Sequence, residues 1–352
     1  MVSIDSESYH EKKMKDYLMN IFKECHMECI EMPIEGFEAG NIYAVLKGHT
    51  NKEPLMFSGH MDTVSPGKGK QAIIHEDGRI TSDETTVLGA DDVSALASYI
   101  EAIRTIEDND LPHGDIELAI SVAEEPYDVG SAYYDFSRIK SRIAYTFDLA
   151  GQVGLAALKA PFIISFKVNV KGKSAHAGFN PEDGIHTLKI AASAMYRIPN
   201  GHVNDKTTVN FGTIQGGEGR NIVPREVVIT GEIRSCDHQD ALKWSKHIHT
   251  VFKEEANKEH ASIEYDDYVH IEAYKINEDE EVVERFKHAC HNLQLTPRLI
   301  STHGGSDNRY VKEGIRGIVV ACAMNDCHSV SEYTTIDELE KSALLALHLM
   351  ID

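Results

Sequence analysis

Four short apolar runs in this chain each deliver carboxylates or an imidazole at or just past their carboxyl ends. Leu55 to Ser58 leads to His60 and Asp62, Ile116 to Ala123 to Glu124 and Glu125, Ile143 to Phe147 to Asp148, and Gly317 to Cys322 runs on to His328. Near-continuous apolar runs of this length suit strands buried on both faces. In open α/β sheets, ligands collect just beyond the carboxyl ends of such strands. Groups from four strand ends would meet in one crevice. Mixed oxygen and nitrogen donors suit a divalent cation, with Cys327 as an alternative but less fitting ligand. Metal-dependent hydrolysis is the chemistry expected.

Each group has a plainer rival explanation. The strand period of two puts His60 and Asp62 on one side, where the carboxylate could fix the imidazole tautomer and free its other nitrogen for metal. Alone, such a pair marks only a turn. Asp91 and Asp92 stand at the expected start of a helix, where aspartate is a favoured cap. Two in succession exceed capping needs, and a carboxylate can bridge two cations roughly 3.5–4 Å apart. Glu124 and Glu125 follow a strand too apolar for two charges. Adjacent residues on extended chain point apart, so one could bind metal while the other addresses bound water. Without a cation they would repel, and one would hold a proton. The rival is a solvated pair on a loop. Asp148 and His328, taken singly, would more often be structural.

The elements that must position these groups follow from periodicity. Met14, Leu18, Ile21 and Phe22 recur at helical spacing, which predicts a helix through the first thirty residues with Cys25 and Cys29 as its packing residues. A strand is expected at 41–47, and a helix after Asp92 with Val93, Leu96, Ala97, Ile100 and Ile103 on one face. Strands near 116–123 and 143–147 complete an α/β alternation. After about Ala160 the pattern changes to strand 162–170, helix 184–196, strands 207–214 and 222–233, helix 238–256 and strand 262–273. That is the β-α-β-β-α-β order of a ferredoxin-like unit. From about Tyr274 the α/β pattern resumes, with a helix near 278–293, the strand before His328 and a closing helix from Ile336. Residues 1–160 and 275–352 therefore read as one catalytic domain, interrupted by a second at 161–274.

Composition narrows the partners. The chain has 352 residues, 42% of them hydrophobic, and a formal charge of -21. This length favours two domains. The acidic balance argues against a nucleic-acid partner. No apolar stretch reaches the ~20 residues of a membrane-spanning helix, so no membrane partner is expected. The first residues lack the basic and apolar regions of a secretory signal. Six scattered cysteines fit a reducing cytoplasm better than a disulfide framework.

Taken together, Ser58-Gly59-His60-Met61-Asp62-Thr63-Val64, Leu88-Gly89-Ala90-Asp91-Asp92, Ala123-Glu124-Glu125, Thr146-Phe147-Asp148 and His328-Ser329-x-x-Glu332 resemble the co-catalytic zinc exopeptidases. That group includes peptidase T, aminoacylases and glutamate carboxypeptidases, and the peptidase T-like members look most similar. The resemblance implies a three-layer α/β/α catalytic domain with an inserted ferredoxin-like lid and dimerisation domain, acting as a homodimer. It implies two zinc ions per subunit, with cobalt or manganese as possible replacements. His60, Asp91 and Asp148 would hold one ion, and Asp91, Glu125 and His328 the other. Glu124 would be the general base, with Asp62 behind His60. In the insert, Gly172-Lys173-Ser174-Ala175-His176-Ala177-Gly178 resembles the segment whose histidine approaches the substrate, often from the partner subunit. Asn221 and Arg234 resemble contacts to a substrate carboxylate, a task suited to the arginine fork. For Arg234 a surface ion pair is the competing expectation.

Three positions depart from that pattern: Val93 replaces a common lysine, His303 a common arginine, and Leu149-Ala150 the usual glycines. The expected activity is hydrolysis of a peptide bond in small peptides, by aminopeptidase or tripeptidase action. N-acyl-amino-acid deacylase or glutamate-releasing carboxypeptidase activity is the alternative. A catalytically silent metal- or peptide-binding protein would not need both Glu124 and Glu125.

Overall fold

The computed structural model describes residues 1–271, 273–301 and 309–352. In chain order the elements used below are α1 (Lys12–Glu24), β1 (Glu28–Met32), β2 (Asn41–Leu46), β3 (Leu55–His60), α2 (Ala90–Asn109), β4 (Ile116–Ser121), β5 (Ile143–Ala150) and β6 (Leu155–Ala157). Then come β7 (Phe162–Lys171), α3 (Thr187–Arg197), β8 (Gly201–Asn204), β9 (Thr207–Gly216), β10 (Glu226–Ser235), α4 (His238–Lys258) and β11 (Ser262–Ile271). The chain closes with α5 (Glu281–Asn292), β12 (Arg298–Ile300), β13 (Arg316–Met324) and α6 (Ile336–Ile351). Two compact units result: Met1–Lys159 with Lys275–Asp352, and Ala160–Tyr274.

The first unit is an α/β domain on an eight-stranded mixed sheet, ordered β1-β2-β4-β3-β5-β13-β6-β12. Its centre is parallel: β3 pairs with β4 and β5, and β5 with β13. Every residue of β3 and β4 is buried, as their apolar runs require of strands covered on both faces. On one face, Tyr99 of α2 donates to the Ser58 carbonyl at 2.7 Å and accepts the Phe147 N–H at 3.1 Å. Its ring packs edge-on to Phe57 and Phe147. One side chain thereby fixes the strand ends that carry His60 and Asp148. The opposite face is covered by short 3₁₀ turns at Gly130–Tyr133, Phe136–Arg138 and Arg309–Glu313, with Tyr134 and Tyr310 packed over Met56, Ala119 and Ala144.

The second unit is antiparallel, ordered β8-β9-β10-β7-β11, with α3 and α4 sharing its hydrophobic core. Removing the short edge strand β8, which the sequence pattern did not reveal, leaves the ferredoxin-like order. The first helix is also shorter than expected. It stops at Glu24, His26 adopts φ 50°, and β1 begins at Glu28. Cys25 and Cys29 therefore do not share a helix. All six cysteines are free thiols. Among the described residues, no helix is long and apolar enough to cross a membrane.

Candidate metal centre

The carboxyl ends of β3, β4, β5 and β13, with the start of α2, bring five of the expected residues together. Two groups form, His60 with Asp91 and Asp148, and Asp91 with Glu125 and His328; within each, the potential ligand atoms lie within 4.8 Å of one another. Asp91 belongs to both. Its Oδ1 is 3.1 Å from His60 Nε2, and its Oδ2 is 3.3 Å from His328 Nε2. His60 Nε2 also stands 3.9 Å from Asp148 Oδ1, and His328 Nε2 stands 2.9 Å from Glu125 Oε2.

Local structure explains why these side chains point where they do. His60 is the last residue of β3, and its Nδ1 faces Asp62 Oδ1 at 3.2 Å. The aspartate pair does not cap α2. Gly89 holds the cap position with φ 74°, and Asp91 and Asp92 both have non-helical backbone angles. This break turns the two carboxylates apart. Asp92 goes inward, where it accepts the His60 N–H at 3.2 Å, while Asp91 faces the imidazoles. Glu332 steadies the break by accepting the N–H groups of Gly89 at 2.7 Å and Asp91 at 3.0 Å. Past β4 the chain bends at Ala123, φ 48°, and Asp62 accepts the next two N–H groups, from Glu124 at 2.9 Å and Glu125 at 3.2 Å. His328 is itself left-handed, φ 62°.

The electrostatics call for positive charge. Burial favours the neutral form of Asp91, yet His328 and His60 hold its carboxyl well below the usual range. Burial opposes a charge on His60 too, but Asp62 and Asp91 raise its pKa well above the ordinary imidazole value. Hydrogen bonds to Asp91 and Glu125 raise His328 to about 10. Burial raises Glu125, with His328 opposing and Asp91 adding to it. Glu125 Oε1 is buried with no hydrogen-bond partner. Clustered carboxylates facing two imidazoles, with an unused buried oxygen on Glu125, form a donor set that a divalent cation would satisfy. The donors fit a divalent metal.

The remaining expected residues lie in the second unit. His176 and Asn221 are on neighbouring segments, joined by a bridge between His176 and Ile222 and by the Ala177 N–H to the Asn221 carbonyl at 3.0 Å. Both are exposed. Arg234 is engaged by Glu232, Nε to Oε1 at 2.8 Å and a second guanidinium nitrogen to Oε2 at 3.1 Å. Val93 is buried in the first turns of α2. His303 lies outside the described residues.

Sequence reasoning assigned no role to Glu332, Gly59, Ser8 or Glu11, and read Asp92 only as half of a capping or bridging pair. Glu332 and Gly59 stood inside recognised motifs, and a lone glycine in a buried strand is itself a signal of close approach. Ser8 and Glu11 carried none.

A carboxylate–imidazole cluster at the carboxyl edge of a mixed α/β sheet, buried on the His60 side and open at His328, is the donor set of a metal-dependent hydrolase. Comparison with known proteins makes this specific. Residues 162–260 match a peptidase dimerisation domain of the M20 type, and residues 41–195 match peptidase family M28. The uncharacterized protein YqjE of Bacillus subtilis is 34% identical over 97% of this chain and 93% of its own. The crystal structure of aminopeptidase PepT from Bacillus cereus is 34% identical, with TM-score 0.88 over 99% of this chain and 95% of that one. A tripeptidase from Staphylococcus aureus is 30% identical, with TM-score 0.93 over the same shares. The chain belongs to the peptidase T-like metallopeptidases. It is a metal-dependent peptide hydrolase.

Proposed function

We propose that this protein is an aminopeptidase for small peptides, tripeptides foremost, and that it works with two zinc ions per subunit. The observation that carries the reading is the position of Asp91, with one carboxylate oxygen toward each ligand group. His60, Asp91 and Asp148 would hold one ion, and Asp91, Glu125 and His328 the other. Cobalt or manganese could take their place. When bound, such a pair acidifies a shared water and polarises the substrate carbonyl.

The chain's own groups supply the rest. Glu124 takes the proton of the attacking water and hands it to the departing amine. Asp62 keeps a proton on His60 Nδ1, which leaves the Nε2 lone pair for ligation. His176 Nδ1 accepts the N–H groups of Gly178 and Phe179, each at 3.1 Å, so its proton sits on Nε2. That tautomer suits a donor to the developing oxyanion. Asn221 would contact the substrate carboxylate. Arg234 would have to release Glu232 to do the same, so this reading leans on the substrate's free amine more than on its carboxylate. The peptidase dimerisation match supports a homodimer formed through residues 161–274, and six free thiols fit a reducing cytoplasm. The solved relatives described as aminopeptidase PepT and tripeptidase support the substrate class.

Metal analysis paired with turnover of one tripeptide in free, N-acetylated and C-amidated forms tests the proposal. Two equivalents of metal are expected, with the acetylated peptide resistant and the amidated one retaining most activity. Cleavage of the acetylated peptide at the rate of the free one would transfer the protein to the deacylase or carboxypeptidase class. Glu124→Gln should keep its metal and lose roughly 10²–10⁴-fold in turnover. Wild-type turnover in that variant would remove Glu124 from the mechanism.

A further inference from the structure

The bend that separates Glu124 from Glu125 is held from the beginning of the chain. Ala123 donates its N–H to Glu11 Oε1 at 3.0 Å, across 112 positions of sequence. The next two N–H groups go to Asp62. Three successive amides thus end on two fully buried carboxylates, at a residue with φ 48° whose carbonyl also accepts the Val129 N–H at 2.9 Å.

Glu11 gives up its ordinary task to do this. It precedes the first turn of α1, where a capping side chain accepts from an amide of its own helix. It makes no such bond. Its Oε1 serves the Tyr9 N–H at 2.8 Å and Ala123. The segment before it is anchored to the same region. Ser6 accepts the Thr63 N–H at 2.9 Å, Ser8 donates its N–H to the Thr63 carbonyl at 3.3 Å, and Ser8 Oγ donates to Asp62 Oδ2 at 2.7 Å.

We infer that Glu11 is a positioning residue for hydrolysis: by holding the Ala123 amide it fixes the bend from which Glu124 and Glu125 diverge. The inference rests on the roles proposed above for those two residues. What matters is the reach of the side chain, because the Ala123 N–H needs only an accepting oxygen at its end. A neutral amide of equal length can still accept the Ala123 N–H.

Two variants separate reach from charge. Glu11→Asp keeps the carboxylate and gives α1 a better capping residue, but it is one methylene too short. Glu11→Gln keeps the length. The Asp variant should fold and lose about 10–100-fold in kcat, as an ångström-scale displacement at a reacting group does. Its KM should change little, its zinc affinity should fall, and amide hydrogen exchange across residues 122–131 should accelerate. The Gln variant should stay close to wild type in all four. A folded Asp variant with wild-type kcat and unchanged exchange overturns the inference. So does a folded Gln variant that loses about 10-fold or more in kcat, a result that decides the matter even if the Asp variant does not fold. Glu124→Gln, measured alongside, keeps the two readings apart: wild-type turnover there removes the base assignment, while exchange and zinc affinity still report on Glu11 and the bend.

Discussion

A Cβ on Gly59 would lie 2.5 Å from Asp92 Oδ2. The glycine leaves room for a buried carboxylate that holds the His60 backbone N–H and accepts from the Cys322 thiol. Burial raises the pKa of that carboxyl well above the usual range. Gly59→Ala should push Asp92 aside and move the end of β3. The expected cost is about 1–3 kcal/mol in denaturant unfolding, the range for an overpacked core, with weakened metal binding. Unchanged stability and metal affinity would show that the close approach is not needed.

Asp91 should be set apart from the other ligands by stoichiometry. It faces both imidazoles, whereas Asp148 belongs to one group and Glu125 to the other. Asp91→Asn should therefore weaken both metal equivalents, while Asp148→Asn and Glu125→Gln should each weaken one. Metal content after controlled dialysis against a weak chelator reads this directly. Loss of one equivalent in the Asp91 variant would mean that its carboxylate does not serve two ions.

Metal uptake should release protons, with a definite sign. His328 is raised to about 10 and His60 is raised as well, so both imidazoles of the metal-free protein carry protons at neutral pH. A cation must displace them. Affinity should climb with pH across the neutral and mildly alkaline range as the two raised imidazoles give up their protons. Zinc titrations in two buffers of different ionisation enthalpy would count the protons. A count of zero at pH 7 would rule out protonated imidazoles as the resting state.

Much of this arrangement was legible in the chain itself. Buried parallel strands need unbroken apolar runs, and a charge placed just after such a run has few destinations besides the crevice at the sheet edge. The insert was equally readable, because the strand and helix periods alternate in a distinctive order. Local geometry was less accessible. Nothing in the sequence says that His26 turns left-handed and ends α1, or that the backbone at Asp91 and Asp92 leaves the helical range. The Arg234–Glu232 pair could have been found, since residues two apart share one face of a strand. Glu11 could not. Its contact with Ala123 is a product of tertiary folding, and no spacing announces it.

Asp62 presents the sharpest case for an isosteric substitution. Its Oδ1 faces the Glu124 N–H at 2.9 Å and His60 Nδ1 at 3.2 Å, and its Oδ2 receives the Glu125 N–H at 3.2 Å and the Ser8 hydroxyl at 2.7 Å. All four partners donate when His60 keeps its Nδ1 proton. Asparagine has one accepting oxygen, and either orientation turns its NH₂ toward a backbone N–H. At least one buried donor would be left unsatisfied, at about 1–3 kcal/mol. His60 Nδ1 would keep the Asp62 backbone carbonyl at 3.1 Å but lose its carboxylate partner if the amide took the other orientation. Asp62→Asn should therefore unfold at lower denaturant and bind metal more weakly than wild type, despite its unchanged shape. Ser8→Ala, which removes a single hydroxyl donor, should do neither to the same degree. If the two variants proved equal in denaturant midpoint and zinc affinity, the four-donor account of Asp62 would be wrong.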